Sequence, residues 1–286
     1  LRRADVVLCV SASLRDFLAG EFPEHAAKFQ VVPNPIDFDG FSVRPSAPAA
    51  LRKWLYLGRL IEHKGVRTLL EAFALVAAED PEPTLTLVGS GALEESLRAR
   101  VAELGLSGRV TLRSAVPPER VAALLHEHDL LVHLSRVETF GMTVVEAVAS
   151  GLPVLVAASE GPSETLSGLN GVAGSLIEIT EDPVAVAEEY RKLAARLPEL
   201  DLPAARAALR ERYGNEAVAA QLRRWYFEPV DVPGVSTAER GPGRAARVYA
   251  TLLAAARKSP DLGPEVALRR GRRLVGRAFA RARRLR

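Results

Sequence analysis

Short continuous apolar runs recur along the chain at residues 54–57, 85–88, 109–112, 130–134 and 153–156, with a further one at 172–177. Between them lie longer stretches in which apolar residues return every third or fourth position. Runs of the first kind read as strands buried on both faces, and stretches of the second as helices packed over them. Their alternation predicts an α/β fold with a doubly wound parallel sheet, covered by helices and joined by right-handed crossovers. Helices are expected at Val66–Ala77, at Ala92–Leu104, from about Phe140 to Ala149 ahead of Ser150-Gly151 and Pro153, and over Arg206–Phe227. Upstream, Asp5-Val-Val-Leu-Cys-Val-Ser11 reads as one more strand, followed by a helix over Ala12–Ala19 with Ser11 as its N-cap.

On such sheets ligands sit beyond the carboxyl ends of the strands, so the residues just after each strand carry the chemistry. Glu138-Thr-Phe-Gly-Met-Thr-Val-Val-Glu146 follows the strand Asp129–Leu134 and sets two carboxylates eight positions apart. The first lies in the turn and the second roughly two helical turns further on. Gly141 lets the backbone approach a ligand, and the first-turn N–H groups around Phe140, Met142 and Thr143 offer donors and a positive dipole end to an anion. An ordinary strand-turn-helix with two unengaged glutamates would read the same way.

Gly58-Arg59-Leu-Ile-Glu-His-Lys64-Gly65 places two cations five apart between a strand and an amphipathic helix. A planar guanidinium fork and a point-charge ammonium suit a diphosphate, and they also suit a merely solubilised loop. Gly89-Ser90-Gly91 opens a third strand-to-helix unit. It departs from a dinucleotide fingerprint, because Glu94 stands where the third glycine belongs. The Ala115-Val116 loop follows the next strand.

In this order, the segments resemble the C-terminal half of family-4 glycosyltransferases, retaining enzymes of the GT-B fold. The resemblance runs from roughly Ala4 to Tyr226. It passes through Ala4–Ser11, Val31-Val-Pro-Asn-Pro-Ile-Asp37, the Gly58–Gly65 segment, Val88–Gly91, the two-glutamate motif, Ala149-Ser-Gly-Leu-Pro-Val154, Glu160-Gly-Pro-Ser-Glu164 and Asn170-Gly171. It implies a nucleotide-sugar donor, with Arg59 and Lys64 on the diphosphate, Glu138 on hydroxyls of the transferred sugar and Glu146 on the ribose diol. The base would lie near Gly89–Gly91 and Ala115-Val116, Gly58 would belong to the donor-binding set, and N–H groups of Phe140–Thr143 would assist at the diphosphate. Transfer with retention, no metal and no other cofactor, and an acceptor that is a sugar, a lipid or another small molecule are implied likewise.

By the same resemblance, residues 1–44 are the end of an N-terminal, Rossmann-like acceptor domain and the interdomain linker. Residues 45–205 are the donor-binding domain, 206–228 a closing helix crossing back to the first domain, and 229–286 a basic linker and helical tail. Residue 1 is Leu and the sole methionine is Met142, so the chain is read as beginning after the translation start. The expectation is that the chain alone binds a donor but transfers nothing. Three alternatives stay open: a pseudo-enzyme that binds sugar nucleotides without transfer, a sugar-nucleotide epimerase, and a phosphorylase on the same fold. A dehydrogenase is disfavoured by the missing glycine and by the lack of an acidic residue about 20 positions beyond Gly89.

Composition changes the picture in three places. At 48% apolar, with no membrane-length apolar run, the chain reads as a cytoplasmic globular enzyme. The single Cys9 rules out an intramolecular disulfide. The net charge of +3 conceals a division: residues 1–228 carry 24 Lys and Arg against 31 Asp and Glu, while residues 229–286 carry 14 against 4. Within that tail, Arg269–Arg286 has apolar residues at three- and four-residue spacing, a basic amphipathic helix available to an anionic membrane surface or simply to solvent. It lacks the aromatic interleaving that would favour nucleic acid.

Two other clusters are discounted as metal sites. Asp37-Phe-Asp39 falls in the Pro-rich linker, and in the cluster of His126, His128 and His133 the first two, at i and i+2, cannot share an ion from one helix face.

Overall fold

The computed structural model describes residues 1, 4, 6–44 and 47–227, with backbone only at 226–227. The tail from Pro229, including the basic segment Arg269–Arg286, lies outside the described residues. A small unit comes first: parallel strands β1 (Val7–Cys9) and β2 (Phe29–Val31), joined through helix α1 (Ala12–Glu21). Ser11 caps α1 as its sequence predicts, its hydroxyl accepting from Leu14 N at 3.2 Å. Ala4, Val7, Cys9, Leu18 and Phe29 form a core of their own.

The main body is a six-stranded, all-parallel sheet. Its strands are β3 (Lys53–Leu57), β4 (Thr84–Val88), β5 (Val110–Arg113), β6 (Leu130–His133), β7 (Val154–Ala157) and β8 (Gly174–Ile177), in spatial order β5-β4-β3-β6-β7-β8. The chain therefore builds outward from β3 in one direction, then returns beside it with β6 and builds the other way. The crevice between the loops after β3 and β6 is the topological switch point, where ligands bind in open sheets of this kind.

Helices α2 (Val66–Glu79), α3 (Glu94–Glu103), α4 (Val121–His126), α5 (Met142–Ala149), α6 (Glu160–Thr165) and α7 (Pro183–Ala195) connect or follow the strands. Side chains alternate across the pleat as period-2 geometry requires. Trp54, Tyr56, Leu85, Leu87, Leu130 and Val132 face a core with α2 and α7, while Leu55, Val88, Leu131, Val154 and Val156 face a second core with α5. Burial on both faces explains why these strands read as unbroken apolar runs.

One expected element needs correction. Arg206–Phe227 is not a single closing helix: α8 (Leu202–Tyr213) and α9 (Asn215–Phe227) are separated by Gly214 in extended conformation (φ −62°, ψ 153°). The break is used, because Ile36 bridges to Gly214 and its N–H donates to Tyr213 O at 2.8 Å. Helix α8 also starts earlier than Arg206, its cap being Asp201, whose carboxylate accepts from Ala204 N at 2.9 Å. Leu202, Ala205, Leu209 and Tyr213 are buried, the last three in the second core beside α5, so α8 packs on this chain's own sheet. Arg206 straps the linker to it, donating to Ala149 O and Phe38 O, each at 2.7 Å.

Candidate active site

All six strands run parallel, so the sequence-identified segments emerge at one edge of the sheet. In spatial order they are Ala115-Val116 after β5, Gly89–Gly91 after β4, Gly58–Lys64 after β3 and Glu138–Thr143 after β6. The loops after β4 and β3 are stitched by their backbones: Gly58 N donates to Val88 O at 3.0 Å, Leu60 N to Ser90 O at 2.9 Å and Leu93 N to Leu60 O at 3.0 Å. Gly89 is required for this approach, since a Cβ there would stand 1.8 Å from Gly58 O. At Gly91 it would stand 2.3 Å from Leu60 O. Gly89 and Gly91 thus serve loop-to-loop packing. Ser90 is exposed, as is Ala115.

Across the switch point, Arg136 N donates to His63 O at 2.8 Å, and Gly65 lies so close to Leu134 that a Cβ would meet its carbonyl at 2.3 Å. This contact brings Lys64 to Glu138, with Nζ 2.6 Å from Oε2. Lys64 is buried and Glu138 keeps a fifth of its side-chain surface. His133, at the end of β6, places Nε2 3.4 Å from the same Oε2, in ion-pair range although not aligned as a hydrogen bond. Burial alone would push the Glu138 carboxyl up, but the neighbouring imidazole and the Lys64 charge outweigh it and hold the group well below the usual carboxylate range.

Glu146, further along α5, is half-buried, and its carboxylate has no ion pair or hydrogen bond among the described residues. Burial pushes its carboxyl up. Helix α5 starts at Gly141, whose φ of +86° suits only glycine, and Met142 N and Thr143 N find no acceptor among the described residues. Phe140 is otherwise engaged: its ring packs edge-on to Tyr213 at 5.2 Å, so only its backbone is available to a ligand. Arg59 is exposed and unpaired among the described residues, its carbonyl fixed by Tyr56 Oη at 2.6 Å. Burial, followed by the Lys64 and Arg59 charges, lowers the pKa of the adjacent His63.

Two contributors were not assigned from sequence. Gly161, at the start of α6, packs on the glutamate loop so tightly that a Cβ would meet Phe140 N at 2.4 Å, and its N–H donates to Glu138 O at 2.8 Å. His133 was grouped with His126 and His128 by spacing, yet His126 meets Ser42 O at 2.6 Å and His128 meets Leu124 O at 2.8 Å, while His133 alone faces the site. Asp39 pairs with Arg210 at 2.9 Å, and no group of three or more His, Cys, Asp or Glu suited to a metal occurs among the described residues. A cavity of about 240 Å³ by Glu62, Arg67, Glu71, Arg136 and Glu181 lies off this crevice, its five charges already paired.

The glycosyl transferases group 1 family model matches residues 44–208, more than half of the chain, and the chain belongs to that family. Over 194 residues it is 30% identical to the GDP-mannose-dependent alpha-(1-6)-phosphatidylinositol monomannoside mannosyltransferase of Mycolicibacterium smegmatis, covering 62% of this chain and 50% of that one. Over 205 residues it is 35% identical to the D-inositol 3-phosphate glycosyltransferase of Thermobispora bispora, covering 66% and 46%. The chain spans about half the length of these curated relatives. Among solved structures, Anabaena HepE in complex with UDP and glucose matches with a TM-score of 0.66 at 22% identity, over 78% of this chain and 63% of that one. S. aureus TarM matches with a TM-score of 0.67 at 19% identity, over 76% and 43%. The fold is of the GT-B type. Among the described residues no helix is long and apolar enough to cross a membrane.

Proposed function

We propose that this chain supplies the donor side of a glycosyl transfer from a nucleotide sugar, with retention of configuration and without a metal. The observation that carries the reading is the Lys64–Glu138 pair in the switch-point crevice, beside an unpartnered Glu146 and the open N–H groups of α5. In this reading Arg59 and Lys64 neutralise the departing diphosphate, with Met142 N and Thr143 N assisting. That is the charge a transfer site must stabilise, and cations with a helix N-terminus suffice for it in principle. Glu138 accepts from hydroxyls of the sugar and Glu146 from the ribose diol. Gly58, Gly89–Gly91 and Ala115-Val116 border the base. The relatives support this reading: one curated name specifies GDP-mannose, and HepE is described with UDP and glucose.

Residues 45–205 form the donor body in this proposal, and transfer to a sugar, lipid or small-molecule acceptor belongs to the whole protein. We place it in the cytoplasm, with Arg269–Arg286 as the contact to an anionic inner membrane face. Binding of GDP-mannose and UDP-glucose, with and without EDTA, tests the donor reading. Saturation by one of them, unchanged by chelator, is expected, and loss of binding on chelation overturns metal independence. NMR of the product anomer tests retention. Co-sedimentation with anionic vesicles, lost when 265–286 are removed, tests the tail.

A further inference from the structure

Lys64 Nζ and His133 Nε2 approach the same oxygen of Glu138, Oε2, at 2.6 and 3.4 Å. The other oxygen, Oε1, has no partner among the described residues and is not sealed from solvent. The carboxylate is thus held from one side and open on the other. His133 is an unusual residue to find beside it. It ends a strand whose four residues are all buried, it is 3% exposed, and neither ring nitrogen has a hydrogen-bond partner among the described residues. Leucine would fill that position without leaving polar atoms dry, so packing alone does not account for an imidazole there.

The ring is also held in place. It stacks parallel to Tyr56, with centroids 6.3 Å apart and planes 9° apart, and Tyr56 Oη is in turn anchored on Arg59 O at 2.6 Å. Rotation of His133 away from Glu138 would break that stack.

We propose that His133 is a positioning residue for the donor sugar, fixing Glu138 through Oε2 so that Oε1 is presented to a sugar hydroxyl. The proposal rests on the donor-site reading above. Its physical logic is a division of labour. If Lys64 turns from Glu138 to the diphosphate when donor enters, Glu138 loses its 2.6 Å partner. A buried carboxylate without a partner would swing or take up a proton. His133, bearing its hydrogen on Nε2, becomes the donor that keeps the carboxylate charged and oriented. No bond to sugar or phosphate is assigned to His133 itself.

The test is calorimetric titration of the full chain, His133→Leu and His133→Gln with two matched pairs, GDP-mannose against GDP and UDP-glucose against UDP. The pair that wild type binds is then followed. His133→Leu should lose about tenfold or more in affinity for the sugar nucleotide, the scale of one hydrogen bond to a charged group, and less than about twofold for the bare diphosphate. His133→Gln, which keeps an amide N–H near the position of Nε2, should recover most of the loss. A structural role would weaken both ligands together and would not be rescued. Equal losses, no loss in His133→Leu, or a folded His133→Gln that behaves like leucine would overturn the assignment. Wild type binding neither pair would refute the donor reading itself, and the proposal with it.

Discussion

Lys64 and Glu138, 74 residues apart in sequence, meet at 2.6 Å across the crevice between the loops after β3 and β6. The two groups assigned to different parts of one ligand are therefore each other's partners in the fold. Glu138→Gln should destabilise the fold by about 2 kcal/mol, because it leaves a buried ammonium unpaired while Glu138 itself retains some solvent. The pH dependence has a definite sign. The carboxyl is held below its ordinary value of 4.5 in the fold, so its stabilisation is complete above that pH and is lost as pH falls through the lower folded value. Thermal melts of wild type and Glu138→Gln should differ most above pH 4.5 and converge in stronger acid.

Arg59 and Lys64 separate into different classes of mutant. Arg59→Ala removes an exposed cation that is unpaired among the described residues and should leave the unfolding free energy within about 0.5 kcal/mol of wild type. Lys64→Ala should lower it, since Glu138 is then stranded. Both should weaken nucleoside-diphosphate binding by about 1.5–3 kcal/mol in titration calorimetry.

Loop stitching predicts a sharp contrast between two glycines. Gly89→Ala would force a Cβ to within 1.8 Å of Gly58 O and should cost about 3 kcal/mol or more, whereas Gly105→Ala meets nothing within 4 Å. The latter should cost only the roughly 1 kcal/mol of a left-handed backbone. Chemical denaturation of the two variants checks this.

Glu164 holds the start of α1, its two oxygens accepting from Ala12 N at 2.9 and 2.8 Å and one of them from Ser13 N at 3.3 Å. Glu164→Ala should cost about 1 kcal/mol, as loss of a helix cap does. Amide exchange should accelerate in the peptide spanning Ser11–Leu14 and stay unchanged in β3. Unchanged exchange at α1 would show that the clasp between the small unit and the sheet is not held by Glu164.

The sheet is legible because its central strands are buried on both faces. Leu85–Val88 was read against an observed Thr84–Val88, and 130–134 against Leu130–His133. Glycines were harder to assign, because close approach to a ligand and close approach to another loop demand the same residue. Gly91, placed near the base by the resemblance, packs closely against Leu60. The break at Gly214 was missed because its reason is distant: Ile36 pairs there. Helix α8 starts upstream of the expected Arg206, with Asp201 as its cap and a proline in its first turn. The place of His133 could not be read from spacing, since its partner Glu138 comes back to it only after the chain has left β6 and turned.

The central claim, that this crevice separates the diphosphate from the sugar of one donor, is tested most directly by titrating Glu138→Gln with a nucleoside diphosphate and with its sugar. The account predicts that binding of the bare diphosphate is kept or tightened, because Lys64 is released from its partner, while the sugar-bearing donor loses about 1.5–3 kcal/mol. Equal weakening of both ligands would contradict it and remove Glu138 from the sugar site.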